Sequence, residues 1–348
     1  MQNTVIGGER AIRASLALLE RQKRGDADVA KIEPDQILQQ LGRAIDRVTS
    51  EAGYLDRTMA ARAIHQAQGD LAEATTLLRA FKSTLPCFGI AEPFDTDRIA
   101  IRRRIATTHK DIAGGQFLGA TYDYTHRLLG TGTAVDLDDG DLLDVAPPAR
   151  DPVLGSAFAS EELQPLLIAP SSHEPAAACQ AERASRLASL ALADEGTLTS
   201  VANAAMQDMG TNHPLVADLR VGEVGVALRI EDLGLAVDLA DILVTECQTI
   251  HETIDGAGRH DPGFTLGYGL CFGQSERKAI TMALAERWLR WDEFGEPPSS
   301  VGQDAAFVLR HADPVIGAGQ VQHLKLPHYV DFQAQIQTLK AMRDGSNR

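Results

Sequence analysis

Two histidines near the end of the sequence, His323 and His328, flank the run Leu-Lys-Leu-Pro. Their five-position spacing does not place them on one face of an α-helix, where neighbouring side chains lie three or four residues apart. Pro327 also disfavours helix at the residue before it, so we expect extended or turned backbone here. Zinc takes about four ligands, and a histidine nitrogen is one that it prefers. The pair could therefore supply half of a zinc site; alternatively, one imidazole caps a helix that starts near Asp331 and the other lies on the surface.

Basic side chains gather at one place in an otherwise acidic chain, which has a formal net charge of −15. Guanidinium groups bind phosphate oxygens through paired hydrogen bonds, so this cluster is a candidate site for phosphate groups. The alternative is a solvated surface balanced by nearby carboxylates. The cluster consists of Arg102, Arg103, Arg104 and Lys110, with Arg98 and His109 beside them.

Three glycines, Gly267, Gly269 and Gly273, lie in a segment that runs into a predicted helix. Their spacing fits neither the dinucleotide-binding fingerprint nor the phosphate-loop pattern. A glycine-rich loop at the start of a helix can still bind an anion through free backbone N–H groups. Glu276, in the first helical turn, would compete for the same positive end. We therefore expect a loop here, with the three glycines as candidates for substrate binding.

Length and composition limit the class of protein. The chain has 348 residues, so we expect two domains or one large domain with insertions. Its four cysteines are scattered without a Cys-x-x-Cys pair and no signal-like leader opens the sequence, which predicts a reduced, cytoplasmic protein. No apolar run reaches the roughly 18 to 20 residues that cross a bilayer. We therefore expect no membrane as a partner, and because the net charge is acidic we also expect no nucleic acid.

Helical periodicity dominates the N-terminal part of the chain. One helix is predicted up to about Arg24, a second from Pro34 to just before Gly53, and a third over 56–83, where Asp70 would cap a second half. Their apolar stripes are predicted to be core. These stripes consist of Ala11, Leu16, Leu18 and Leu19 in the first helix, Ile37, Leu41, Ile45 and Val48 in the second, and Leu71, Ala74, Leu77, Leu78 and Phe81 in the last.

Strict alternation of apolar residues over Glu223–Ile230, followed by a turn and a second apolar run after Gly234, predicts a β-hairpin. No series of strand-helix-strand units accompanies it. The expected fold class is therefore α+β, with an antiparallel sheet in the C-terminal half packed by helices. We predict a mainly helical region over 1–130, an acidic variable loop or linker over 131–156, and an α+β region over 157–348.

Several long stretches of mixed residue types resemble the PhnI family, a subunit family of the bacterial carbon-phosphorus lyase system. They span nearly the whole chain in the expected order, whereas Gly130–Pro175 and the last few residues resemble the family poorly. The stretches are Gly7–Ile12, Arg79–Leu85, Gly114–Gly119, Thr121–Leu129, Arg183–Leu187, Gly267–Ala279 and His323–Gln333.

The resemblance implies a cytoplasmic enzyme subunit of phosphonate breakdown, acting in a core assembly with PhnG, PhnH and PhnJ and depending also on PhnL. The implied reaction replaces the adenine of ATP by a phosphonate at the anomeric carbon of ribose, giving ribose 1-phosphonate 5-triphosphate, for example the 1-methylphosphonate. Family members alone behave as purine nucleosidases. The resemblance also implies that His323 and His328 bind zinc at the boundary with PhnJ, to which the iron-sulfur and radical chemistry belongs.

This reaction requires a proton on the leaving adenine and stabilisation of an oxocarbenium-like ribose. Asp123, Glu246 and Glu276 are the candidate catalytic carboxylates, each with a structural alternative as a helix cap or an ion-pair partner. Two other functions stay open. One is a non-catalytic scaffold for PhnJ and the nucleotide-handling subunits; the other is a free-standing zinc hydrolase that adds His311 or Asp313 to the histidine pair.

Overall fold

The computed structural model describes residues 8–106, 129, 176–208, 214–230, 234–253, 263–317, 321 and 332–346. The helices in this part of the chain are α1 (Gly8–Arg24), α2 (Pro34–Gln40), α3 (Gly42–Ala52), α4 (Arg57–Gln66), α5 (Leu71–Lys82), α6 (Ala176–Ala191), α7 (Glu195–Asp208), α8 (Glu276–Trp288), α9 (Ala305–Ala312) and α10 (Phe332–Ser346). The strands are β1 (Ala100–Ala106), β2 (Leu215–Ile230), β3 (Leu235–Thr253) and β4 (Gly263–Phe272). Among these residues no helix is long and apolar enough to span a membrane.

The four strands form one antiparallel sheet in the order β1-β2-β3-β4. Gly234, just before β3, has a φ of 62°, a left-handed conformation that glycine adopts readily. The predicted hairpin and the α+β class are both confirmed. The register places Arg104, Arg220 and Glu246 opposite one another on β1, β2 and β3. Because facing residues of antiparallel strands lie on the same side of the sheet, the three charged side chains share one face.

Helix α8 packs on the opposite face of the sheet, against the glycines of β4. A β-carbon built on Gly267 would collide with the carbonyl oxygen of Ala283, and one built on Gly269 with that of Ala279. The two glycines therefore let the helix backbone approach the strand closely. The loop predicted for this segment is wrong, since the residues up to Phe272 form a strand. Helix α8 occupies the space beside the α-carbons of these two glycines.

Gly269→Ala is expected to lower the free energy of unfolding by about 1–3 kcal/mol, since the added methyl group overpacks the contact with α8. The measurement is urea denaturation followed by circular dichroism. Gly225→Ala in β2 is the matched control, because a β-carbon there meets only a carboxylate oxygen of Asp241, at 3.4 Å. Equal stability of the two variants would contradict this account of the packing.

Helix α8 is also the centre of the C-terminal core, where it is surrounded by α6, α7 and α9. All of its residues from Lys278 to Trp288 except Ile280 are buried. Such a helix has no solvated face, so even its charged side chains must find partners inside the protein. The apolar residues of this core are Leu190, Ala193, Leu198, Met282, Ala285, Leu289, Val308 and Ala312.

Side chains from α8 and the residues after it cover the outer edge of β4, the last strand in the sheet order. The Glu286 carboxylate accepts a hydrogen bond from the Tyr268 N–H at 3.1 Å, and the Arg290 guanidinium donates to the Leu266 carbonyl at 3.4 Å. Arg183 of α6 donates to the same Glu286 carboxylate at 2.7 Å. The Tyr268 N–H and the Leu266 carbonyl, which pair with no further strand among the described residues, are thus hydrogen-bonded by side chains.

The N-terminal helices α2 to α5 enclose a second core. The division of the segment 56–83 into two helices is confirmed, and Asp70 caps α5 by accepting hydrogen bonds from the N–H groups of Ala72 and Glu73. This cap satisfies two of the N–H groups that a helix start leaves unpaired. The buried residues of this core are Ile37, Ile45, Val48, Ala52, Ala60, Ala61, Ala63, Ile64, Ala74 and Leu78.

Two predictions about apolar residues in this region are wrong. The helix predicted from Pro34 to Gly53 is divided by Leu41, whose φ of −111° and ψ of 41° leave the helical range, and this side chain is 49% exposed. Helix α1 forms as predicted, but none of its residues is buried, and the exposed leucines include Leu16 at 57% and Leu18 at 55%. An apolar stripe becomes core only where another element covers it, and no described element covers this one.

Candidate functional site

Glu246 lies on the charged face of the sheet and is 3% exposed. One of its carboxylate oxygens accepts a hydrogen bond from the Arg220 guanidinium, and the other accepts one from the Tyr268 hydroxyl at 2.9 Å. Burial, and after it the charge of Glu246, raises the pKa of Tyr268, so the phenol keeps the proton that it donates. Both oxygens of this catalytic candidate are therefore engaged by the protein.

A row of alternating charges continues from Glu246 across the sheet. Arg220 lies 3.7 Å from Asp218, and Arg104 on β1 donates to the same carboxylate at 3.1 Å. Because Asp218 and Arg220 are both buried, each depends on an opposite charge to offset the loss of its hydration. Arg104, a predicted phosphate ligand, therefore has a carboxylate partner within this row.

The other two arginines of the basic cluster lie in different surroundings. Arg103 pairs with Glu276, the first residue of α8, and these side chains are 22% and 20% exposed. Arg102 donates to Glu223 at 2.5 Å, and its side chain is 60% exposed. Arg103, a phosphate-binding candidate, and Glu276, a catalytic candidate, are thus ion-pair partners. Arg102 is the most accessible of the three arginines.

The turn that leads into α8 directs its backbone N–H groups at other parts of the protein. Gly273 has a φ of 77°, and a β-carbon built there would lie 2.6 Å from the β-carbon of Asp46. The Asp46 carboxylate accepts a hydrogen bond from the Gln274 N–H at 3.1 Å, and the Thr245 hydroxyl accepts one from the Ser275 N–H at 3.1 Å. A carboxylate of the protein therefore lies at the positive end of α8, where the sequence left anion binding open. The role of the three glycines in substrate binding stays a prediction.

Comparison with known proteins adds a finding that covers the whole chain. The family model described as "Bacterial phosphonate metabolism protein (PhnI)" matches residues 1–346. The chain belongs to the PhnI family. This confirms the resemblance that the seven sequence stretches indicated, and it makes the chain a protein of bacterial phosphonate metabolism.

Individual PhnI relatives match over nearly their full length. The alpha-D-ribose 1-methylphosphonate 5-triphosphate synthase subunit PhnI of Rhizobium meliloti (strain 1021) is 44% identical over 352 residues, covering 99% of this chain and 95% of that protein. The protein of the same name from Escherichia coli (strain K12) is 44% identical over 357 residues, covering 100% and 99%. The putative C-P lyase subunit protein HtxH of Stutzerimonas stutzeri is 35% identical over 355 residues, covering 97% and 95%.

Two arginines from the PhnI-like stretches connect elements that are distant in sequence. Arg79 on α5 donates to the Asp313 carboxylate at 2.7 Å and to the Glu51 carbonyl at 2.9 Å. Arg183 on α6 donates to Glu286 on α8 at 2.7 Å. In this PhnI-family chain, therefore, these arginines attach the N-terminal helices and α6 to the C-terminal core.

His311 and Asp313, the two spare candidates for a zinc ligand, have partners within the chain. The His311 ring stacks on Phe307 with the centroids 4.1 Å apart, and its Nδ1 lies 2.8 Å from the Phe307 carbonyl oxygen. Burial opposes ionisation of Asp313, but hydrogen bonds from Arg79 and from two backbone N–H groups outweigh it and lower the pKa of this carboxyl. The described residues contain no group of three or more His, Cys, Asp or Glu placed to hold a metal ion.

Four site residues predicted from the sequence lie outside the described residues: Lys110, Asp123, His323 and His328. Their roles in phosphate binding, catalysis and zinc binding stay predictions. The same holds for the domain boundaries at 130 and 156, which also fall outside the part of the chain that the structure describes.

Lys278 is a buried lysine that the sequence analysis did not single out. Its side chain is fully buried in α8, and its Nζ donates to the Ser50 hydroxyl of α3 at 2.9 Å. Burial lowers the pKa of this amine, against the attraction of nearby acidic groups that include Glu51. Helical spacing could have predicted this burial, because Lys278 lies four residues before Met282 and shares its apolar face.

The buried side chain of His251 on β3 is expected to make the free energy of unfolding depend on pH. The ring is 2% exposed, and burial, followed by the charge of Arg287, lowers its pKa from 6.5 to about 3. Between these two pH values the unfolded chain binds a proton that the folded chain does not. This group should therefore lower the free energy of unfolding by about 2 kcal/mol at pH 5 relative to pH 7.

Urea denaturation at pH 7 and pH 5 measures this contribution. His251→Gln is expected to lose less stability between the two pH values than the wild type, because it has no imidazole to protonate on unfolding. His65→Gln, which removes an exposed imidazole from α4, is the control and should keep the wild-type difference. A wild-type difference in His251→Gln would contradict the prediction.

Proposed function

We propose that this chain is the subunit that replaces the adenine of ATP by a phosphonate. The supporting observation is its near full-length similarity to two proteins named alpha-D-ribose 1-methylphosphonate 5-triphosphate synthase subunit PhnI. That name states a ribose with a triphosphate at C5 and a phosphonate at C1, and ATP carries the same ribose triphosphate with adenine at C1. In the proposed reaction the bond from C1 to the adenine nitrogen breaks, a phosphonate oxygen bonds to C1, and adenine leaves with a proton.

Burial distinguishes the two described catalytic candidates. Glu246 is bonded at both carboxylate oxygens and has a side chain only 3% exposed. Glu276 pairs with Arg103 and keeps a fifth of its side chain exposed. A substrate could therefore reach Glu276 more readily, and a carboxylate there would stabilise positive charge that develops on the ribose.

The proposed assembly contains PhnG, PhnH and PhnJ, lies in the cytoplasm and depends on PhnL for function. Zinc is proposed to bind His323 and His328 at the boundary with PhnJ. Helix α1 supports a role in an assembly, because Ile12 and Leu16 are 63% and 57% exposed and no described element covers them. Exposed apolar surface of this kind is typical of protein interfaces.

The test is adenine release from ATP in the presence of methylphosphonate, measured by chromatography with the co-purified assembly and with the same subunits lacking this chain. We expect release only when this chain is present, and the proposed nucleosidase chemistry also predicts slow release by the chain alone. Full release without this chain would overturn the proposal in favour of a non-catalytic scaffold.

Arg102→Gln is expected to raise the KM for ATP by up to about 5-fold, because an exposed guanidinium contributes up to about 1 kcal/mol to an ion pair with a phosphate. The KM for adenosine, which has no phosphate, should change less. Arg104 is unsuited to this test, since its loss would leave the buried Asp218 with one partner fewer.

Glu223→Gln is the matched control for Arg102→Gln, because it breaks the same ion pair without removing the positive charge. Its KM for ATP should be unchanged or lower. Equal changes in the KM for ATP and for adenosine in Arg102→Gln would contradict a role in binding the triphosphate and would indicate a structural role.

A further inference from the structure

The hairpin of β2 and β3 extends beyond the two outer strands of the sheet. Strand β1 pairs only with 218–223 of β2, and β4 only with 244–253 of β3. The distal part of the hairpin, in which 224–230 faces 235–242, therefore has neither β1 nor β4 beside it. This distal part has two edges, one on β2 and one on β3.

The two edges of the distal hairpin are covered to different extents. On the β2 side, Ala91 forms a bridge with Leu228. The next residue, Glu92, donates its N–H to the Ala227 carbonyl at 2.8 Å. On the β3 side no residue in the described part of the chain pairs with 235–242, of which all but the last residue are exposed. We call 235–242 the open edge.

Three residues of the open edge direct their main-chain groups away from β2. Facing residues of an antiparallel pair either bond each other or both point outward. The Ala227 carbonyl bonds outward, so Asp238, which faces it, points to the open side, and so does Ala236 two residues earlier. Asp241 lies two residues before Leu243, whose carbonyl accepts from the N–H of the residue after β4, so Asp241 points to the same side. The N–H and carbonyl groups of these three residues are therefore placed to bond a further strand.

Apolar side chains are exposed along the open edge. Leu235, Val237 and Leu239 are 57%, 42% and 57% exposed. An edge strand with exposed apolar side chains offers both main-chain hydrogen bonds and apolar contact to another strand. The open edge therefore has the properties of a site for strand addition.

The charges of the open edge select the strand that can add. Asp238 and Asp241 are both exposed, and no Lys or Arg occurs over 235–242. Edge-to-edge pairing of two copies of this chain would bring these carboxylates together, and like charges on neighbouring strands are destabilising. The bulge at Leu239, an extra residue between Asp238 and Ala240 in the register, also disfavours regular pairing of two such edges. A strand that carries Lys or Arg beside the two aspartates would instead be attracted.

We propose that the open edge binds an extended basic segment of another subunit, which adds to the hairpin as a further strand. Main-chain hydrogen bonds would supply affinity, and the side chains of the edge would supply specificity. At about 3.3 Å per residue the edge is about 26 Å long, the length of a strand of about eight residues. Docking at this edge rests on the proposed assembly and is independent of the proposed reaction.

The experiment is hydrogen exchange of the full-length chain, alone and in the co-purified assembly, followed by mass spectrometry with fragmentation to single amides. We expect the amides of Ala236, Asp238 and Asp241 to exchange at least about 10-fold more slowly in the assembly, because a docked strand bonds them. The amide of Val237, which points to β2, should exchange slowly in both samples. Equal exchange of the three amides in the isolated and the assembled chain would overturn the proposal.

Charge reversal tests the chemistry of the partner. Asp238→Lys should reduce the slowing of exchange at Ala236 by about 5-fold, because loss of an exposed ion pair and repulsion by a like charge each contribute to this factor. Asp28→Lys, at an exposed position before α2, is the matched control and should keep the wild-type slowing. Full slowing in Asp238→Lys would show that the docked strand is not basic and would also overturn the proposal.

A second variant changes the main chain of the open edge. Ala236→Pro removes an outward N–H and none of the bonds to β2, so it should weaken docking while circular dichroism shows a retained fold. Loss of a subunit from the assembly in Ala236→Pro or Asp238→Lys would support the proposal.

Sedimentation of the isolated chain identifies other occupants of the open edge. A dimer that Ala236→Pro disrupts would place a second copy there. Slow exchange of the three outward amides in the isolated monomer would place a segment of the same chain there, and either result would overturn the proposal. Assembly is measured by co-elution and the proposed reaction by adenine release, so a failure of docking at this edge is seen in the exchange data alone.

Discussion

Arg220→Met is expected to destabilise the folded chain by about 3–5 kcal/mol, the cost of leaving a buried charge without its partner. Arg220 bonds Glu246 and lies near Asp218, and all three residues are 3% exposed. Methionine fills much of the same space, so the loss comes chiefly from Glu246, which stays buried with only the Tyr268 hydroxyl as a partner, whereas Asp218 keeps its bond from Arg104. Urea denaturation at pH 7 measures the change.

Arg102→Met is the control for Arg220→Met, because its ion pair with Glu223 is exposed and should contribute only about 0–1 kcal/mol. A double variant, Arg220→Met with Glu246→Gln, should recover part of the loss, since it removes the unpaired charge together with its partner. Equal destabilisation by Arg220→Met and Arg102→Met would show that the buried ion pairs of Arg220 stabilise the fold no more than an exposed ion pair does.

His323→Ala and His328→Ala are each expected to weaken zinc binding by the assembly by at least about 10- to 100-fold, the loss typical of weakening even a supporting interaction of a metal site. The pair supplies two of about four ligands, so the remaining ones are expected mainly from outside this chain. Metal binding would then be coupled to assembly, and loss of one imidazole should weaken both. The measurement is the metal content of the purified assembly together with its elution volume.

His65→Ala, at an exposed position on α4, controls for the loss of an imidazole. Stoichiometric zinc in both His323→Ala and His328→Ala would refute the assignment. Tight zinc binding by the isolated chain would instead require ligands from within it. His311 and Asp313 would then have to give up the partners that they have in the structure, Phe307 and Arg79.

Sequence patterns correctly predicted the elements that depend only on residues close together in the sequence. The alternation before Gly234 predicted the hairpin, and a carboxylate before an apolar run predicted the cap at Asp70. The same rules failed where the deciding partner lies elsewhere. The α1 stripe has the pattern of a core helix, but its burial depends on another surface; Gly267 and Gly269 have the composition of a loop, but it is the backbone of α8 that requires them.

The site was harder to predict than the fold, because its charges pair over long sequence separations. Arg103 and Glu276 are 173 positions apart, and Arg104 and Asp218 are 114 apart. A single sequence shows that a basic cluster exists but not which carboxylates face it, so phosphate binding and internal ion pairing could not be distinguished. Lys278 could have been found, since a lysine on the apolar face of a helix is unusual enough to predict a buried partner.

The side chains along the outer edge of β4 have a consequence for how the protein behaves at high concentration. An unprotected edge strand offers its N–H and C=O groups to a strand of another molecule, which is a route to aggregation. Here Glu286 and Arg290 bond the Tyr268 N–H and the Leu266 carbonyl, and Arg183 holds Glu286 in place. Intermolecular strand pairing at this edge would first have to break bonds to buried charges. The ion pairs around α8 therefore also act against self-association through the sheet.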